Sequence, residues 1–523
     1  MSPHAVSLED DELQADTIAR EPTSSQNGNG HTNGTSKRSL LRPTDDDELH
    51  DAVIVGFGPA SLAIAVALHD ALEDGQPTLR TRHPKVRFLE RQSRFAWHPG
   101  MLLPGAKMQI SFLKDMATLR NPRSKFTFLN YLFEKQRLVQ FTNLSTFLPH
   151  RIEYEDYMKW CASWFEDVVD YDQECLSVEA DHKDSSTGAV AGFRVTSRNP
   201  RTGTESCIRA KHVIIATGGR PSMPANLPSG HPRIIHSSQY ATAVSEIFRG
   251  GRQPKSVAVI GGGQSAAEVF NNIPSRFPGA TVCLLIRDSA LRPSDDSPFV
   301  NEVFDPERVD QIYAQRPDVR SREIARDKAT NYSVVRLELL EHIYETLYSY
   351  RLQYENESQW PQRILSHRTV TTVEDCEVDG APALRLHVND SSALSADRQK
   401  PTTETMTVDL VVVASGYRRD AHEDLLKGVR DLMPGGDSKG QTWQVRRDYG
   451  VEFREGSVSE DAGIWLQGCN EQTHGLSDSL LSILANRGGE MVQSIFGTQM
   501  TNGVGTQMTN GVNGHSTRPS YRS

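Results

Sequence analysis

Ala52-Val53-Ile54-Val55-Gly56-Phe57-Gly58-Pro59-Ala60-Ser61-Leu62-Ala63 begins as a branched apolar run, turns on two glycines, and continues into small residues. The apolar run predicts a strand buried on both faces, and Ser61-Leu62-Ala63-Ile64-Ala65-Val66-Ala67-Leu68 suits a helix packed closely on a sheet. Glycine is required between them because the chain must turn sharply. It also brings the free N–H groups at the helix start close to an anion such as a pyrophosphate. The third glycine position of the pattern holds Ser61, which is also small. The next predicted strand, Lys85-Val86-Arg87-Phe88-Leu89-Glu90, ends in an acid placed where a ribose hydroxyl can be bound.

The same grammar recurs further along. Ser256-Val257-Ala258-Val259-Ile260 leads into Gly261-Gly262-Gly263-Gln264-Ser265-Ala266 and a helix. Here the following strand, Thr281 to Ile286, ends in Arg287 rather than an acid. A cation at that place favours the extra 2′-phosphate of NADPH over the bare ribose of NADH. Two such turns in one chain imply two nucleotide cofactors, and hence redox chemistry.

A chain of 523 residues can form two or three domains with substantial cores. The net charge of −10, with acids and bases interspersed, leaves no basic stripe for nucleic acid and no polybasic membrane anchor. No stretch approaches the roughly 18 apolar residues of a membrane helix, and the acidic, polar N-terminus does not read as a signal peptide. A cytoplasmic protein acting on small polar substrates is expected. The six cysteines, Cys161, Cys175, Cys207, Cys283, Cys376 and Cys469, are scattered singly without a CxxC pair, which argues against a disulfide reductase and a zinc site. Residues 1–46 and 498–523 read as disordered tails, the latter carrying Thr-Gln-Met-Thr-Asn-Gly-Val at 498–504 and again at 506–512.

Two further strands suggest the architecture. Lys211–Gly219 and Asp409–Tyr417 are apolar runs ending in a small residue and glycine, ends that let the chain cross close to a bound dinucleotide. Their positions imply nesting: one nucleotide domain spans 47–249 and resumes over 409–497, and a second occupies 250–408. The segment 181–210 reads as a hairpin excursion. The expected fold class is α/β with two Rossmann-like dinucleotide-binding domains, one inserted in the other, and a small substrate-binding region.

Several longer motifs are more specific. They are Glu90-Arg91-Gln92 through Trp97-His98-Pro99-Gly100-Met101, Lys107-Met108-Gln109-Ile110-Ser111-Phe112-Leu113-Lys114-Asp115, and Asp295-Asp296-Ser297-Pro298-Phe299-Val300-Asn301-Glu302. Lys328-Ala329-Thr330-Asn331-Tyr332-Ser333 and Thr473-His474-Gly475-Leu476-Ser477-Asp478-Ser479-Leu480-Leu481-Ser482 complete the set. Over residues 47–497 the chain resembles the fungal L-ornithine N5-monooxygenases, flavin enzymes that open hydroxamate siderophore synthesis. It departs from their pattern only by Ala-Ser-Gly-Tyr in place of Ala-Thr-Gly-Tyr at 414–417 and by Gly262 where serine is common.

The resemblance implies FAD in the outer domain and NADPH in the inserted one. FAD would lie along Gly56, Gly58, Pro59 and Ser61, then Glu90, Arg91, Gln92, Trp97, His98 and Gln109. Cys175 would contribute to the same site, with Ser479, Leu480, Leu481 and Ser482 towards the flavin ring and Met108 at its edge. NADPH would lie on Gly262, Gly263, Gln264 and Ser265, with Arg287 near the adenosine phosphate and Asn301, Asn331, Tyr332 and Ser333 along it. The amino acid would be held by Lys114, Asn301, Glu302, Val303, Phe304, Asn331 and Ser482.

Those residue types suit ornithine. Lys114 can pair the α-carboxylate, and the asparagines can offer amide oxygens to the α-ammonium and N–H groups to the carboxylate. The chemistry the resemblance implies is hydride transfer from NADPH to FAD, a C4a-hydroperoxyflavin, and attack by the terminal amine to give N5-hydroxy-L-ornithine. No residue beyond the flavin is expected to be catalytic. An amine with a pKa near 10.4 must first lose its proton. A homotetramer is implied as well. A lysine N6-hydroxylase or Baeyer–Villiger type monooxygenase shares the two turns, and outside the enzyme class stands a cofactor-binding redox sensor without catalysis. His98, His236 and His474 are expected to contact backbone or cofactor. Asp295 and Asp296 are expected to serve a loop or helix cap, and Arg336–Glu341 to open an amphipathic helix.

Overall fold

The computed structural model describes residues 38–498, apart from 76–78, 229, 250–251, 393–401 and 439. The repeated heptapeptide and most of the N-terminal tail therefore lie outside the described residues. Residues 38–46 correct the expected boundary of that tail, because Leu41 is fully buried in the first core and the Ser39 N–H donates to the Trp164 carbonyl. Arg87 pins the segment further through the Thr44 carbonyl and Asp46. Burying one leucine side chain stabilises by about 1.5–3 kcal/mol, enough to order a short polar stretch around it.

The first sheet has a parallel centre. Leu49–Val55 pairs with Val86–Leu89 on one side and with Glu205–Ile215 on the other. Val169–Asp170 extends it beyond Val86–Leu89, again in parallel. The other edge of the long strand Glu205–Ile215 is shared between two partners. Its first half runs antiparallel to Phe193–Arg198, and its last four residues pair in parallel with Gly463–Leu466. Glu174–Ala180 closes the antiparallel side, so the predicted excursion at 181–210 is the turn-and-strand part of a meander. The helix Pro59–Glu73 covers one face with eleven consecutive buried residues. Leu484–Phe496 lies on it so closely that a Cβ on Gly488 would sit 2.6 Å from the Ala63 carbonyl oxygen.

The second sheet is parallel throughout, in the order Gln362–Leu365, Thr281–Leu285, Ser256–Ile260, Leu410–Val413, Ile234–His236. This corrects both edges of the expected insertion. Leu410–Val413 pairs with Ser256–Ile260, not with the first sheet, and Ile234–His236 joins it from before residue 250. A fully buried apolar strand looks alike whichever sheet it enters, so its composition could not choose between them. A three-stranded antiparallel sheet, Arg368–Val378, Ala381–Asp390 and Thr402–Val408, precedes the last of these strands.

The chain crosses between the sheets twice, and the crossings pair with each other. Arg220–Pro221 runs antiparallel to Tyr417–Arg418. Ser222 N–H donates to the Gly416 carbonyl, His236 Nε2 lies 3.0 Å from the same oxygen, and Arg220 pairs with Asp424 at 2.7 Å.

Candidate active site

Both glycine-rich turns are built on one plan. Gly56 has φ +92°, and a Cβ there would lie 2.6 Å from the Ala216 carbonyl oxygen. Gly261 has φ +142°, and its Cβ would lie 2.5 Å from the Ala414 carbonyl oxygen. Each turn is thus wedged against the end of the neighbouring strand, which excludes a side chain twice over, by backbone conformation and by contact. The next glycines face outward. A Cβ on Gly58 would meet nothing within 4 Å, and one on Gly262 only the Ile286 side chain at 4.0 Å. Neither Pro59–Glu73 nor Gln264–Arg276 receives a side-chain cap, which leaves their first N–H groups for another acceptor.

Glu90, buried at the end of its strand, accepts from the Phe57 N–H at 2.7 Å through one oxygen and from the Gln92 N–H at 2.8 Å through the other. It therefore holds the first turn from the adjacent strand, and each oxygen keeps a second lone pair for a hydroxyl. Ser61 Oγ donates back to the Gly56 carbonyl at 2.6 Å. Arg91 is exposed with Glu174 3.9 Å away, and Gln92 is also exposed. Cys175 packs against the second apolar core of the first sheet, where burial pushes its thiol pKa up to about 12.

At the second turn, Arg287 is exposed and makes no hydrogen bond or ion pair with the described residues. Ser333, in the left-handed region at φ +57°, lies over Gly263, with its Cα 3.4 Å from where a Cβ would stand. Tyr332 donates its hydroxyl proton to Glu471, which Lys328 also pairs at 2.7 Å. Gln264, at the start of its helix, is also bonded within the protein through its side chain. Its Oε1 accepts from the Arg336 N–H at 2.9 Å and its Nε2 donates to Glu268 at 2.8 Å, so each amide end makes one bond within the protein.

The proposed substrate residues fall into two groups. Ser482, buried, donates its Oγ proton to the Phe304 carbonyl at 3.4 Å, which joins the Asn301–Phe304 turn to the Ser479–Ser482 turn. Asn301 spends its amide N–H on the Asp296 carbonyl at 2.9 Å and keeps its oxygen, while the Asn331 side chain makes no hydrogen bond with the described residues. Glu302 sits 3.7 Å from Arg308, and Val303 lines a small crevice with Ile312 and Leu476. Lys114 belongs to neither of these turns. Its carbonyl accepts from the Tyr154 hydroxyl at 3.0 Å, and its half-buried ammonium has no partner among the described residues. Asp295 accepts from the Ser297 N–H at 2.9 Å, a turn ahead of the Pro298 helix start.

Met108 is buried and its carbonyl accepts from Arg336 at 3.1 Å, while Gln109 beside it is exposed. Trp97 meets His98 edge-on at 5.3 Å, and His98 meets Tyr417 of the crossing ribbon at 5.5 Å. The His98 ring lies between Trp97 and Tyr417. Desolvation, then the charges of Arg151 and Arg419, lower its pKa to about 4, so it is neutral near pH 7. His236 is committed to Gly416 and Ser238. His474 is stacked 4.4 Å from Tyr449 with its ring nitrogens on Thr473 and the Arg447 carbonyl.

Sequence reading missed the support beneath the Ser479–Ser482 turn. Asp478 and Arg487 form an ion pair at 2.9 Å with side chains 0% and 2% exposed, and Asp478 also accepts from the Asn470 N–H at 2.7 Å. The only signal was an acid and an arginine in an otherwise apolar stretch, which would ordinarily read as surface. Among the described residues, His69, Asp70 and Glu73 lie close enough to hold a metal, but Arg120 and Ser124 bind Asp70, and Lys125 binds Glu73.

The sequence profile of the L-lysine 6-monooxygenase/L-ornithine 5-monooxygenase family matches residues 48–419. The chain is 58% identical over 472 residues to the L-ornithine N(5)-monooxygenase of Cochliobolus heterostrophus, covering 88% of this chain and 89% of that one. Among solved structures it is similar to the ornithine hydroxylase PvdA of Pseudomonas aeruginosa, with TM-score 0.75, 33% identity, and 86% and 99% of the two chains covered. The Kutzneria ornithine N-hydroxylase KtzI, solved with reduced FAD, NADP+ and L-ornithine, matches with TM-score 0.74, 33% identity and the same coverage. No described helix is long and apolar enough to cross a membrane.

Proposed function

The chain belongs to the L-lysine 6-monooxygenase/L-ornithine 5-monooxygenase family, and from that premise we propose that it hydroxylates the terminal amine of L-ornithine, using FAD, NADPH and oxygen. The observation that carries the reading is a pair of cations without protein partners. Arg287 stands past the second glycine turn, and Lys114 lies half-buried near the end of the segment that contains Met108. A half-buried cation without a carboxylate, as Lys114 is, is expected where a ligand supplies the anion, and the exposed Arg287 guanidinium is free to pair a phosphate.

The residues fit both nucleotides. The turns are wedged from below by Ala216 and Ala414 and open above Gly58 and Gly262, and both helix starts lack side-chain caps. Bound there, FAD and NADPH supply the hydride and the oxygen activation that side chains cannot. The protein holds and orients. In this reading the first turn and Glu90 carry FAD, while the second turn, Arg287 and Ser333 carry NADPH. Lys114 pairs the α-carboxylate of ornithine. Asn301, whose N–H is already spent on Asp296, presents its oxygen to the α-ammonium, and Asn331 has both amide ends to offer. Ser482, whose hydroxyl proton goes to Phe304, keeps its oxygen lone pairs to accept from the terminal amine. Supply of hydroxylated amine to hydroxamate siderophores and a cytosolic location complete the proposal.

A homotetramer belongs to the same reading. The helix Leu337–Gln353 leaves Leu337, Tyr344, Tyr348 and Leu352 exposed, and the stretch 128–152 leaves Phe133, Val139, Phe147 and Ile152 exposed. Two separate apolar faces are what a tetramer of paired dimers uses. Light scattering checks the assembly, and a monomer would remove it.

The deciding experiment supplies purified protein with FAD, NADPH, oxygen and either ornithine or lysine, and identifies the products. Hydroxylated ornithine, with lysine left unreacted, is expected. Equal hydroxylation of both would overturn the ornithine assignment, and hydrogen peroxide without hydroxylamine would overturn the monooxygenase reading.

A further inference from the structure

Arg151, Glu268, Gln264 and Arg336 come from three separate stretches of chain and form one bonded chain. Arg151, near the start of the helix Arg151–Ala162, donates through both terminal nitrogens to Glu268, each at 2.8 Å. It also donates to the Met101 carbonyl at 2.8 Å. Glu268, one turn into the helix Gln264–Arg276, accepts from Gln264, whose oxygen accepts from the Arg336 N–H. Arg336 returns to the starting segment by donating to the Met108 carbonyl at 3.1 Å. The ion pair is nearly dry, with side chains 12% and 8% exposed.

Both ends of this chain fall on the same piece of backbone, 101–108, and its middle falls on the residue that follows Gly263. Two other contacts fix that backbone to the second sheet. Met101 and Leu103 are buried in the second sheet's core beside Ile235 and Val257, and a Cβ on Gly100 would lie 1.8 Å from the Ser238 carbonyl oxygen. The segment therefore belongs physically to both halves. A buried bidentate pair is a poor device for stability alone, since an apolar pair of similar volume is often as stable or more so. It is a good device for fixing a distance.

We propose that Arg151, Glu268, Gln264 and Arg336 are positioning residues that set the register between the Met101–Met108 segment and the second glycine turn, and so the approach of the nicotinamide to the flavin. The inference rests on the two-cofactor reading above. Hydride transfer needs reacting atoms about 3–3.5 Å apart, and a displacement of about 1 Å can cost on the order of a hundredfold in rate. Gln264 acts through Glu268 and Arg336, the two groups its amide joins.

The test uses the FAD-loaded full-length protein and four variants. Glu268→Gln and Arg151→Met each strand one partner, Arg151→Met/Glu268→Met removes both charges, and Gln264→Met cuts the bridge while sparing the ion pair. The double variant is expected to recover the melting temperature of the parent. Its flavin should still be reduced by NADPH at least tenfold more slowly under anaerobic single-turnover conditions. Reoxidation of dithionite-reduced enzyme by oxygen should stay within twofold of the parent. Amide hydrogen exchange over Gln264–Phe270 should rise, which does not depend on turnover, and Gln264→Met should show the same split in milder form.

Flavin reduction within twofold of the parent in the double and Gln264 variants would overturn the proposal. Equal slowing of reduction and reoxidation would also overturn it, as a sign of general disruption. A parent protein that NADPH does not reduce at all would instead refute the two-cofactor reading.

Discussion

Replacing Lys114 with methionine separates substrate binding from everything else this protein does. The side chain is half-buried, its ammonium pairs with nothing among the described residues, and its backbone is held independently by the Tyr154 hydroxyl. The substitution leaves no partner stranded and keeps most of the apolar stem, so stability should change by no more than about 0.5 kcal/mol. In the complex, however, the ammonium would make a charge-assisted bond to the α-carboxylate, worth about 1.5–3 kcal/mol in this partly desolvated setting. At about 1.4 kcal/mol per tenfold, ornithine affinity should fall roughly 10- to 150-fold. Steady-state oxygen consumption against ornithine concentration measures this, with anaerobic flavin reduction by NADPH as the internal control. The expected pattern is a KM raised by that factor with flavin reduction unchanged. An unchanged KM would remove Lys114 from the substrate site. A fall in melting temperature as large as that of a core mutant would show that the ammonium has a structural partner after all.

Arg287→Ala should weaken NADPH roughly 10- to 100-fold and leave NADH nearly untouched, because the exposed guanidinium has no protein partner to lose; equal losses for both nucleotides would place it elsewhere. Asp478→Asn should cost about 3–5 kcal/mol by stranding the buried Arg487 charge, read by denaturant unfolding of the FAD-loaded protein. A loss below about 1 kcal/mol would mean that Arg487 finds other acceptors. Burial, then the nearby Arg80, lowers the His212 pKa to about 4. Above pH 6.5 this ring is neutral whether the chain is folded or not. Between 6.5 and 4 the unfolded chain takes up a proton that the folded one refuses, so stability should fall as pH falls through that window. His212→Gln should flatten that slope in melting temperatures taken from pH 7 to 4.5, and an unaltered slope would assign it to other groups.

Sequence made the local grammar legible and left distant pairings hidden. Gly56 and Gly261 could be read because a sharp strand-to-helix turn constrains the chain within a few residues, and the structure gives each a positive φ. The sheet that receives Leu410–Val413 could not be read, since four buried aliphatics satisfy either sheet. Leu41 was hidden by its polar neighbours, although one buried side chain suffices to order them. Arg151 and Glu268, or Asp478 and Arg487, resemble ordinary surface charges until the fold removes their water. Gln264 was noticed for its place after three glycines, but no sequence pattern discloses that its amide is already bonded at both ends.

The strand ends that wedge the two turns, Ala216 and Ala414, are also the points from which the chain departs into the antiparallel ribbon of Arg220–Pro221 and Tyr417–Arg418. Paired strands lie about 4.8 Å apart, so everything from Ser222 to Val413 leaves and re-enters through one narrow neck. Such a stretch behaves as a cassette: it can be exchanged, lengthened or permuted without lengthening any other connection. The two ends of the neck touch the two turns, and a replacement cassette must in addition reproduce the surfaces that meet Gly100, Met101, Leu103 and Arg151. An engineer wishing to change the reductant while keeping the flavin half would cut there.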